Sequence, residues 1–380
     1  MNTRIPSFLS RPVALAAAAL ATALLAAGPA QAAHGVAATA GQTDAAPSSR
    51  PLPVVASFSI LADLVKQVGG DRVAVESLVK AGGDTHVFQP GPAQVRQLSS
   101  ASLVVVNGLG FEGWMPRLIG SSGYKGPVVE AARGLQAMKA TDDHHHHGDD
   151  ADEDDHDHEG PHGHDHDHDG PHGHDHDEDG PHGHSHADHD HDEASHGYHH
   201  HHHGGLDPHA WQDALNVRHY VANIAEGLCQ AAPADCAGFR ERARAYDQKL
   251  LELDQEIHQA VDATPTDRRR VMVSHAAFGY YGRAYHITFM APVGISTEEE
   301  PSAAVVANLI RQARQQNVQA FFFENNSDPR LLKRMASELK NVTIGELYAD
   351  SLSPANGPAA DYLSMMRYNT RAISQALSKK

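Results

Sequence analysis

Short β-branched apolar segments alternate with amphipathic segments along the first part of the chain. PVVASF (53–58) predicts a buried strand, and SILADLVKQV (59–68) carries apolar residues at helical spacing until Gly69 and Gly70 end it. The alternation continues with a strand at 72–80, a helix at 92–101 and a strand at 102–108. Strands and helices in this order are typical of a parallel sheet with helices on both faces.

The second part of the chain repeats the alternation. It predicts a strand at 269–275, a helix at 301–317, a strand at 318–324, a helix at 328–340, a strand at 341–347 and a closing helix from about Ala359 to Leu377. Between the two parts, residues 239–263 contain no Gly or Pro and predict one helix of about 37 Å. The expected fold class is α/β, with two lobes, each a mainly parallel sheet flanked by helices, joined by one long rigid helix.

The first 32 residues have the three parts of an export signal. Arg4 and Arg11 supply positive charge, VALAAAALATALLAA (13–27) is an apolar core, and Ala30-Gln31-Ala32 is a small-residue cleavage site. The apolar core is short for crossing a bilayer, which favours a cleaved signal peptide over a membrane anchor. No cysteine lies near the cleavage site, so we expect no lipid anchor and a periplasmic location.

A histidine- and aspartate-rich insertion interrupts the alternation at 141–205. Between Thr141 and His203 it holds 21 acidic residues, 24 of the 31 histidines and no Lys or Arg, in part as a ten-residue repeat beginning GPHGH. Too few apolar side chains are present to offset the entropy of ordering, so we expect this loop to be disordered without metal. The rest of the chain is nearly neutral and has no basic stripe, which argues against nucleic acid as a partner.

These patterns divide the chain into five segments. They are a signal peptide (1–32), a flexible leader (33–50), an N-terminal lobe that includes the loop (51–236), a linking helix (237–265) and a C-terminal lobe (266–380). The only two cysteines, Cys229 and Cys236, lie seven positions apart at the end of the N-terminal lobe, just before the linking helix. In an oxidising compartment they would form a structural disulfide between two helix ends, because they lack the C-x-x-C spacing of redox and zinc sites.

Four polar residues outside the loop stand beside predicted strand or helix ends. His86 lies in KAGGDTHVFQP, His209 in LDPHAWQD, His275 in VMVSH and Asp350 in ELYADSLS. Ligands of open α/β sheets bind outside the carboxyl ends of the strands, and three imidazoles with one carboxylate would suit Zn²⁺ there. Taken singly, such a histidine is more often a polar loop residue, and Asp350 resembles a helix N-cap. Position alone therefore leaves the assignment open.

The motifs around these residues resemble those of the periplasmic solute-binding proteins of zinc and manganese ABC importers (cluster A-I, or family 9). GGDTHVFQP is similar to the family's G-x-x-x-H-x-Y/F-x-P, DPHAW to D-P-H-x-W, SHAAFGYYGRAY to H-x-A-F-x-Y, and LYADSLS to D-S-L/I. The resemblance covers roughly residues 52–380 and is strongest to the high-affinity zinc uptake type, which carries a His-rich loop. It implies that His86, His209, His275 and Asp350 bind metal in a cleft between the lobes.

The resemblance also bears on the choice of metal. Manganese-type members have a carboxylate at the third position, where this chain has His275, and a third imidazole favours Zn²⁺ over Mn²⁺. Some zinc-type members have an acidic residue directly before the first histidine; this chain has Thr85, and Asp350 would supply the oxygen donor instead. Glu324 could accept a hydrogen bond from a ligand imidazole, and a loop salt bridge is an equal alternative.

We therefore expect a zinc-binding protein, not an enzyme, that delivers periplasmic Zn²⁺ to an ABC permease and its ATPase. A periplasmic zinc chaperone would be a further partner, and we expect a monomer. A zinc enzyme is disfavoured because there is no H-E-x-x-H motif and a closed His₃Asp shell leaves no position for water. The main alternative is a zinc, nickel or copper buffer that acts through the loop, although a flexible chain loses affinity when it must order to bind.

Overall fold

The computed structural model describes residues 50–140 and 205–378, so the expected signal peptide, the leader before Arg50 and nearly all of the His-rich loop lie outside the described residues. It contains two parallel sheets of four strands each. The first sheet comprises β1 (Leu52–Phe58), β2 (Val73–Val79), β3 (Leu103–Val106) and β4 (Val128–Glu130). The second comprises β5 (Arg270–Val273), β6 (Thr288–Met290), β7 (Ala320–Glu324) and β8 (Thr343–Leu347). The predicted α/β class with two mainly parallel sheets is confirmed.

Helices cover these sheets and connect them. They are α1 (Ser59–Gly69), α2 (Pro92–Ser99), α3 (Met115–Ser122), α4 (Ala214–Ala231), α5 (Cys236–Asp262), α6 (Gly279–Tyr285), α7 (Ala303–Gln315), α8 (Arg330–Ser337) and α9 (Tyr362–Ser378). Local sequence sets their ends. Gly70 adopts a φ of 57° after α1, a left-handed conformation that glycine tolerates, and the Asp213 carboxylate caps α4 by accepting from Leu215 N–H. Within the described residues, no helix is long and apolar enough to cross a membrane.

The long helix α5 joins the two halves of the chain. It spans 27 residues, about 40 Å, and contacts α1 and α4 from the first half and α6 and α9 from the second. Its stripe of Leu250, Leu253 and Ile257 is fully buried, and each such side chain contributes roughly 1.5–3 kcal/mol of transfer free energy. The helix starts at Cys236, three residues before the helix predicted over 239–263 and one before the linking segment 237–265, and it ends at Asp262, because the chain turns before Pro265.

One hydrophobic core runs through both halves. It extends from β1 through α1, α4 and α5 to β5, β7 and α9, and it includes Trp211, Tyr220 and Tyr281. The opposite face of the first sheet packs on α2 and α3, and that of the second sheet on α7 and α8. Both faces of each sheet are therefore buried, as continuous apolar strands require.

Several boundaries differ from the predictions. Helix α9 begins at Tyr362 instead of Ala359, because the Asp361 side chain accepts from Ser364 N–H and caps the helix there. Strand β8 begins at Thr343 instead of 341, since Asn341 has a left-handed φ of 57°. The helix predicted at 328–340 is confined to Arg330–Ser337. Elements α3, α6, β4 and β6 were not predicted.

The predicted disulfide is present. It links Cys229 in the last turns of α4 to Cys236, the first residue of α5. The bond closes a tight connection between two antiparallel neighbours and so fixes the start of the long helix.

Candidate metal site

The two sheets have the same strand order, and this order locates the site. Each sheet has its first strand inside, between its second and third strands (β2-β1-β3-β4 and β6-β5-β7-β8). In each sheet the chain runs from the first strand to the second on one side and then crosses to the third strand on the other side. Such a reversal opens a crevice at the carboxyl ends of the strands. His275 follows β5 and Glu324 ends β7, so these two residues lie together at the carboxyl ends of neighbouring strands of the second sheet.

The four residues expected to bind metal converge at one point. The donor atoms of His86, His209, His275 and Asp350 all lie within 4.8 Å of one another. His86 follows β2, His209 precedes a short 3₁₀ helix at Ala210–Gln212, and Asp350 follows β8. One set of side chains thus comes from both halves of the chain, in an arrangement that could hold one metal ion.

His209 is held by a carboxylate two residues away. Asp207 Oδ1 accepts the backbone N–H of His209 at 2.9 Å and lies 2.8 Å from Nδ1 of the ring. An ionised carboxylate can only accept, so Nδ1 carries the hydrogen and the lone pair of Nε2 is left free. That Nε2 lies 3.6 Å from Asp350 Oδ1 and 3.4 Å from His86 Nε2, at the centre of the cluster.

His275 is held in the same way by a distant residue. Glu324 Oε1 accepts the backbone N–H of His275 at 3.1 Å, and Oε2 lies 2.5 Å from Nδ1. Nε2 again points to the centre, 3.1 Å from Asp350 Oδ2. Of the two readings left open for Glu324, the structure shows the contact with the imidazole.

His86 differs from the other two histidines. Its backbone N–H donates to Asp84 Oδ1 at 2.9 Å, but the second oxygen of Asp84 accepts from Thr297 Oγ1 at 2.7 Å instead of holding the ring. The ring packs edge-on against Phe111, with centroids 4.9 Å apart. Its side chain is 6% exposed whereas those of His209 and Asp350 are fully buried, so His86 is on the solvent side of the cluster.

The centre of the cluster contains buried polar atoms without hydrogen bonds. These are His275 Nε2 and both carboxylate oxygens of Asp350. Leaving such atoms buried and unpaired is costly, and a cation between them would satisfy all three. The donor set therefore fits a metal ion.

The buried charges of the cluster shift the pKa values of His275 and Asp350. Burial opposes the protonated form of His275, but the negative charges of Glu324 and Asp350 outweigh burial and raise the pKa of His275 well above its ordinary value. Burial likewise opposes ionisation of Asp350, yet the neighbouring His275 and His209 hold its pKa well below the ordinary range. Without metal, the carboxylate of Asp350 is thus balanced by a proton on the imidazole.

Two residues beside the cluster histidines were not predicted from the sequence. Asp207 and Asp84 each stand two positions before a cluster histidine, in D-P-H and D-T-H. In both cases the Asp Oδ1 accepts the backbone N–H of the histidine, a local turn that short polar side chains favour. The repeated D-x-H spacing was the signal that could have revealed them.

Solved structures share this fold. The periplasmic zinc binding protein TroA from Treponema pallidum superposes with a TM-score of 0.68 at 22% identity, covering 87% of this chain and 100% of that one. A manganese-bound periplasmic metal binding protein from Candidatus Liberibacter asiaticus gives 0.64 at 21% identity, covering 86% and 99%. At these identities the likeness concerns the fold.

Relatives in sequence include metal-binding lipoproteins and substrate-binding proteins of metal ABC transporters. The manganese ABC transporter substrate-binding lipoprotein PsaA of Streptococcus anginosus is 26% identical over 350 residues, which cover 90% of this chain and 94% of the relative. The manganese-binding lipoprotein MntA of Halalkalibacterium halodurans is 25% identical over 328 residues, covering 86% and 89%.

Fold, site and relatives together define a substrate-binding protein of a metal ABC importer, which acts outside the cytoplasm. A family model described as zinc-uptake complex component A, periplasmic (ZnuA), matches residues 54–376, and the chain belongs to this family.

Proposed function

We propose that the protein captures Zn²⁺ between its two halves through His86, His209, His275 and Asp350, and delivers it to the permease and ATPase of an ABC importer. The observation that carries this proposal is the convergence of three imidazoles and one carboxylate within 4.8 Å, with buried donor atoms that have no hydrogen-bond partner outside the cluster. Nitrogen and oxygen donors in a set of four suit the tetrahedral preference of zinc.

Zinc is proposed over manganese on the chemistry of the donors. The names of the relatives point both ways, since PsaA and MntA are named for manganese and TroA for zinc. Mn²⁺ favours oxygen ligands, whereas this cluster offers a single carboxylate and three imidazoles. The third imidazole, His275, is the residue on which the choice depends.

The contacts of the imidazoles support ligation through Nε2. Asp207 and Glu324 keep the hydrogen on Nδ1 of His209 and His275, so each Nε2 offers its lone pair to the ion. A ligand imidazole must lose its other proton before it can bind, and acid therefore weakens binding while zinc uptake releases protons.

We further propose that the protein is released into the periplasm as a monomer after cleavage near Ala32. Several relatives are named lipoproteins, which carry a lipid on a cysteine, but the cysteines here are Cys229 and Cys236. Determining the N-terminus of the exported protein tests this, with a start near Ala33 expected. Detergent-dependent extraction from membranes would contradict it.

The alternative is a metal buffer in which the His-rich loop does the binding. It is favoured by the 24 histidines between Thr141 and His203. The loop can be removed cleanly, because Ala140 N–H donates to Gly205 O at 2.8 Å and its two ends are therefore already paired. Deletion of 142–203 leaves Thr141 and Gly204 as a two-residue turn, a length common in hairpins.

The decisive experiment measures zinc stoichiometry and Zn²⁺-against-Mn²⁺ competition on this deletion variant. We expect one tight zinc site to remain and only weaker sites to disappear. In the same background, His275→Ala should abolish tight binding, whereas His219→Ala, at an exposed position on α4, should not. Loss of all submicromolar binding on deletion would favour the buffer, and tight binding by the His275 variant would refute the ligand assignment.

A further inference from the structure

We infer that Tyr280 is a positioning residue for the ligand His209, acting through Asp207. This inference rests on the proposed function, since it concerns how the same site is kept in shape. Tyr280 lies in α6, in the second half of the chain, whereas His209 and Asp207 come from the segment before α4.

The Tyr280 hydroxyl bridges two backbone segments of the first half, one at Met138 and one at Asp207. It accepts the N–H of Met138 at 2.9 Å and donates to the carbonyl of Asp207 at 2.9 Å. Met138 and Asp207 are paired directly as well, through Asp207 N–H and Met138 O at 2.9 Å. The side chain of Tyr280 is fully buried, so these contacts are not exchanged with bulk water. The hydroxyl therefore fixes the backbone of Asp207.

The carboxylate of the same residue lies close to the start of α6. A Cβ added at Gly279 would lie 2.7 Å from Asp207 Oδ2, closer than side-chain atoms tolerate. The start of α6 is thus hydrogen-bonded to the backbone of Asp207 through Tyr280 and leaves no room for a larger side chain beside its carboxylate. Because Asp207 Oδ1 holds His209 at its backbone N–H and at Nδ1, any displacement of Asp207 moves the imidazole.

The same segment already supplies a ligand. His275 is five residues before Tyr280, so the stretch 275–280 both carries one histidine of the cluster and fixes another from the opposite half of the chain. The relative placement of the His209 and His275 imidazoles therefore depends on the turn between His275 and Tyr280, and not only on how the two halves of the chain come together. Tyr280 would not touch the ion itself, because Asp207 and His209 lie between them.

Tyr280→Phe tests the inference against a matched neighbour, Tyr281→Phe. Both tyrosines are fully buried and adjacent, but the Tyr281 hydroxyl pairs with Thr370 Oγ1 at 2.8 Å, away from the cluster. Losing one hydroxyl should lower the unfolding temperature of both variants. Only Tyr280→Phe should weaken zinc binding, by about fivefold to tenfold, as the loss of its buried hydrogen bond to the Asp207 carbonyl implies. Equal zinc affinities for the two variants would overturn the inference.

Co²⁺ bound in place of zinc reports ligand geometry independently of stability. Gly279→Ala should alter the visible absorption of bound Co²⁺ and weaken zinc binding, since its Cβ collides with Asp207. Gly120→Ala in α3 is the control, because nothing lies within 4 Å of its added Cβ. A Co²⁺ spectrum unchanged in both Gly279→Ala and Tyr280→Phe would also overturn the inference.

These results separate the inference from the proposed function. If the unsubstituted protein with its loop deleted has no tight zinc site, the proposed function fails. If that site is present and Tyr280→Phe binds zinc as tightly as Tyr281→Phe, only the positioning role fails.

Discussion

Glu324 holds His275 at two points at once, its Oε1 accepting the backbone N–H at 3.1 Å and its Oε2 lying 2.5 Å from Nδ1. The two residues are 49 positions apart; Glu324 ends β7, and His275 lies two residues beyond the end of the neighbouring strand β5. This double contact fixes both the direction of the ring and the nitrogen that carries the hydrogen. It leaves Nε2 as the donor that faces Asp350.

Glu324→Gln should weaken zinc binding by roughly 10–100-fold, the usual cost of losing a carboxylate partner of a ligand histidine. An amide has one accepting oxygen, so it cannot keep the arrangement in which Oε1 accepts the backbone N–H and Oε2 faces Nδ1. If its NH₂ group faces Nδ1, the imidazole hydrogen moves to Nε2 and blocks ligation. Isothermal titration with a competing chelator measures the change.

Glu346→Gln on the adjacent strand β8 is the matched control, because Glu346 is only partly buried and is not part of the cluster. Its zinc affinity should equal that of the unsubstituted protein. If Glu324→Gln also bound zinc with unchanged affinity, the double contact would have no influence on ligation.

The alternation of strands and helices was enough to predict both sheets and the long helix, because strands buried on both faces are continuous apolar runs. Elements α3, α6, β4 and β6, which have three to eight residues each, were not predicted. The pairing of Glu324 with His275 is a long-range contact, so only the fold reveals it. The contact of Asp207 with His209 could have been predicted from the sequence, since the two residues are only two positions apart in D-P-H. The convergence of His86, His209, His275 and Asp350 follows the expectation, and their role as ligands remains a prediction.

The disulfide should stabilise the protein without affecting the metal. Replacing both Cys229 and Cys236 by Ser should lower the free energy of unfolding by roughly 2–3 kcal/mol, the loop-closure value for a short loop. Zinc affinity should stay the same, because Cys229 is near the far end of α4, about 25 Å along the helix from the His209 segment. Urea unfolding and zinc titration of the same sample test both expectations. A changed affinity would show that the start of α5 communicates with the cleft.

Glu112 should make stability depend on pH near neutrality. Burial raises the pKa of its carboxyl to about 7 from an ordinary 4.5, despite hydrogen bonds from Ser57 Oγ and the backbone of Asn107. The folded state therefore holds a proton that the unfolded state releases between these values. The resulting stability is complete below pH 4.5 and is lost as the pH rises through about 7.

Glu112→Gln removes this titration, because an amide stays neutral. Relative to the unsubstituted protein, the variant should gain up to about 3 kcal/mol of stability between acid pH and pH 8. Denaturant unfolding of the metal-free protein at several pH values measures this difference. Glu299→Gln, at an exposed position, should show no such trend. Parallel stability curves for the Glu112 variant and the unsubstituted protein would mean that the carboxyl is ionised throughout.

The third imidazole should decide the selectivity between zinc and manganese. Replacing His275 by Glu leaves two imidazoles and two carboxylates, a donor set that favours Mn²⁺ more than the original does. The new carboxylate would face the carboxylate of Glu324, and two like charges at this distance repel. The informative variant therefore combines His275→Glu with Glu324→Gln, whose amide can donate to the new carboxylate.

In the loop-deleted background we expect this double variant to lower the ratio of zinc to manganese affinity by about tenfold or more relative to Glu324→Gln alone. Competition between the two metals, followed by elemental analysis of the protein, measures the ratio directly. His219→Glu adds the same charge at an exposed position and should leave the ratio unchanged. An unchanged ratio in the double variant would mean that donor type at position 275 does not set selectivity, and that the geometry imposed by the other three ligands does.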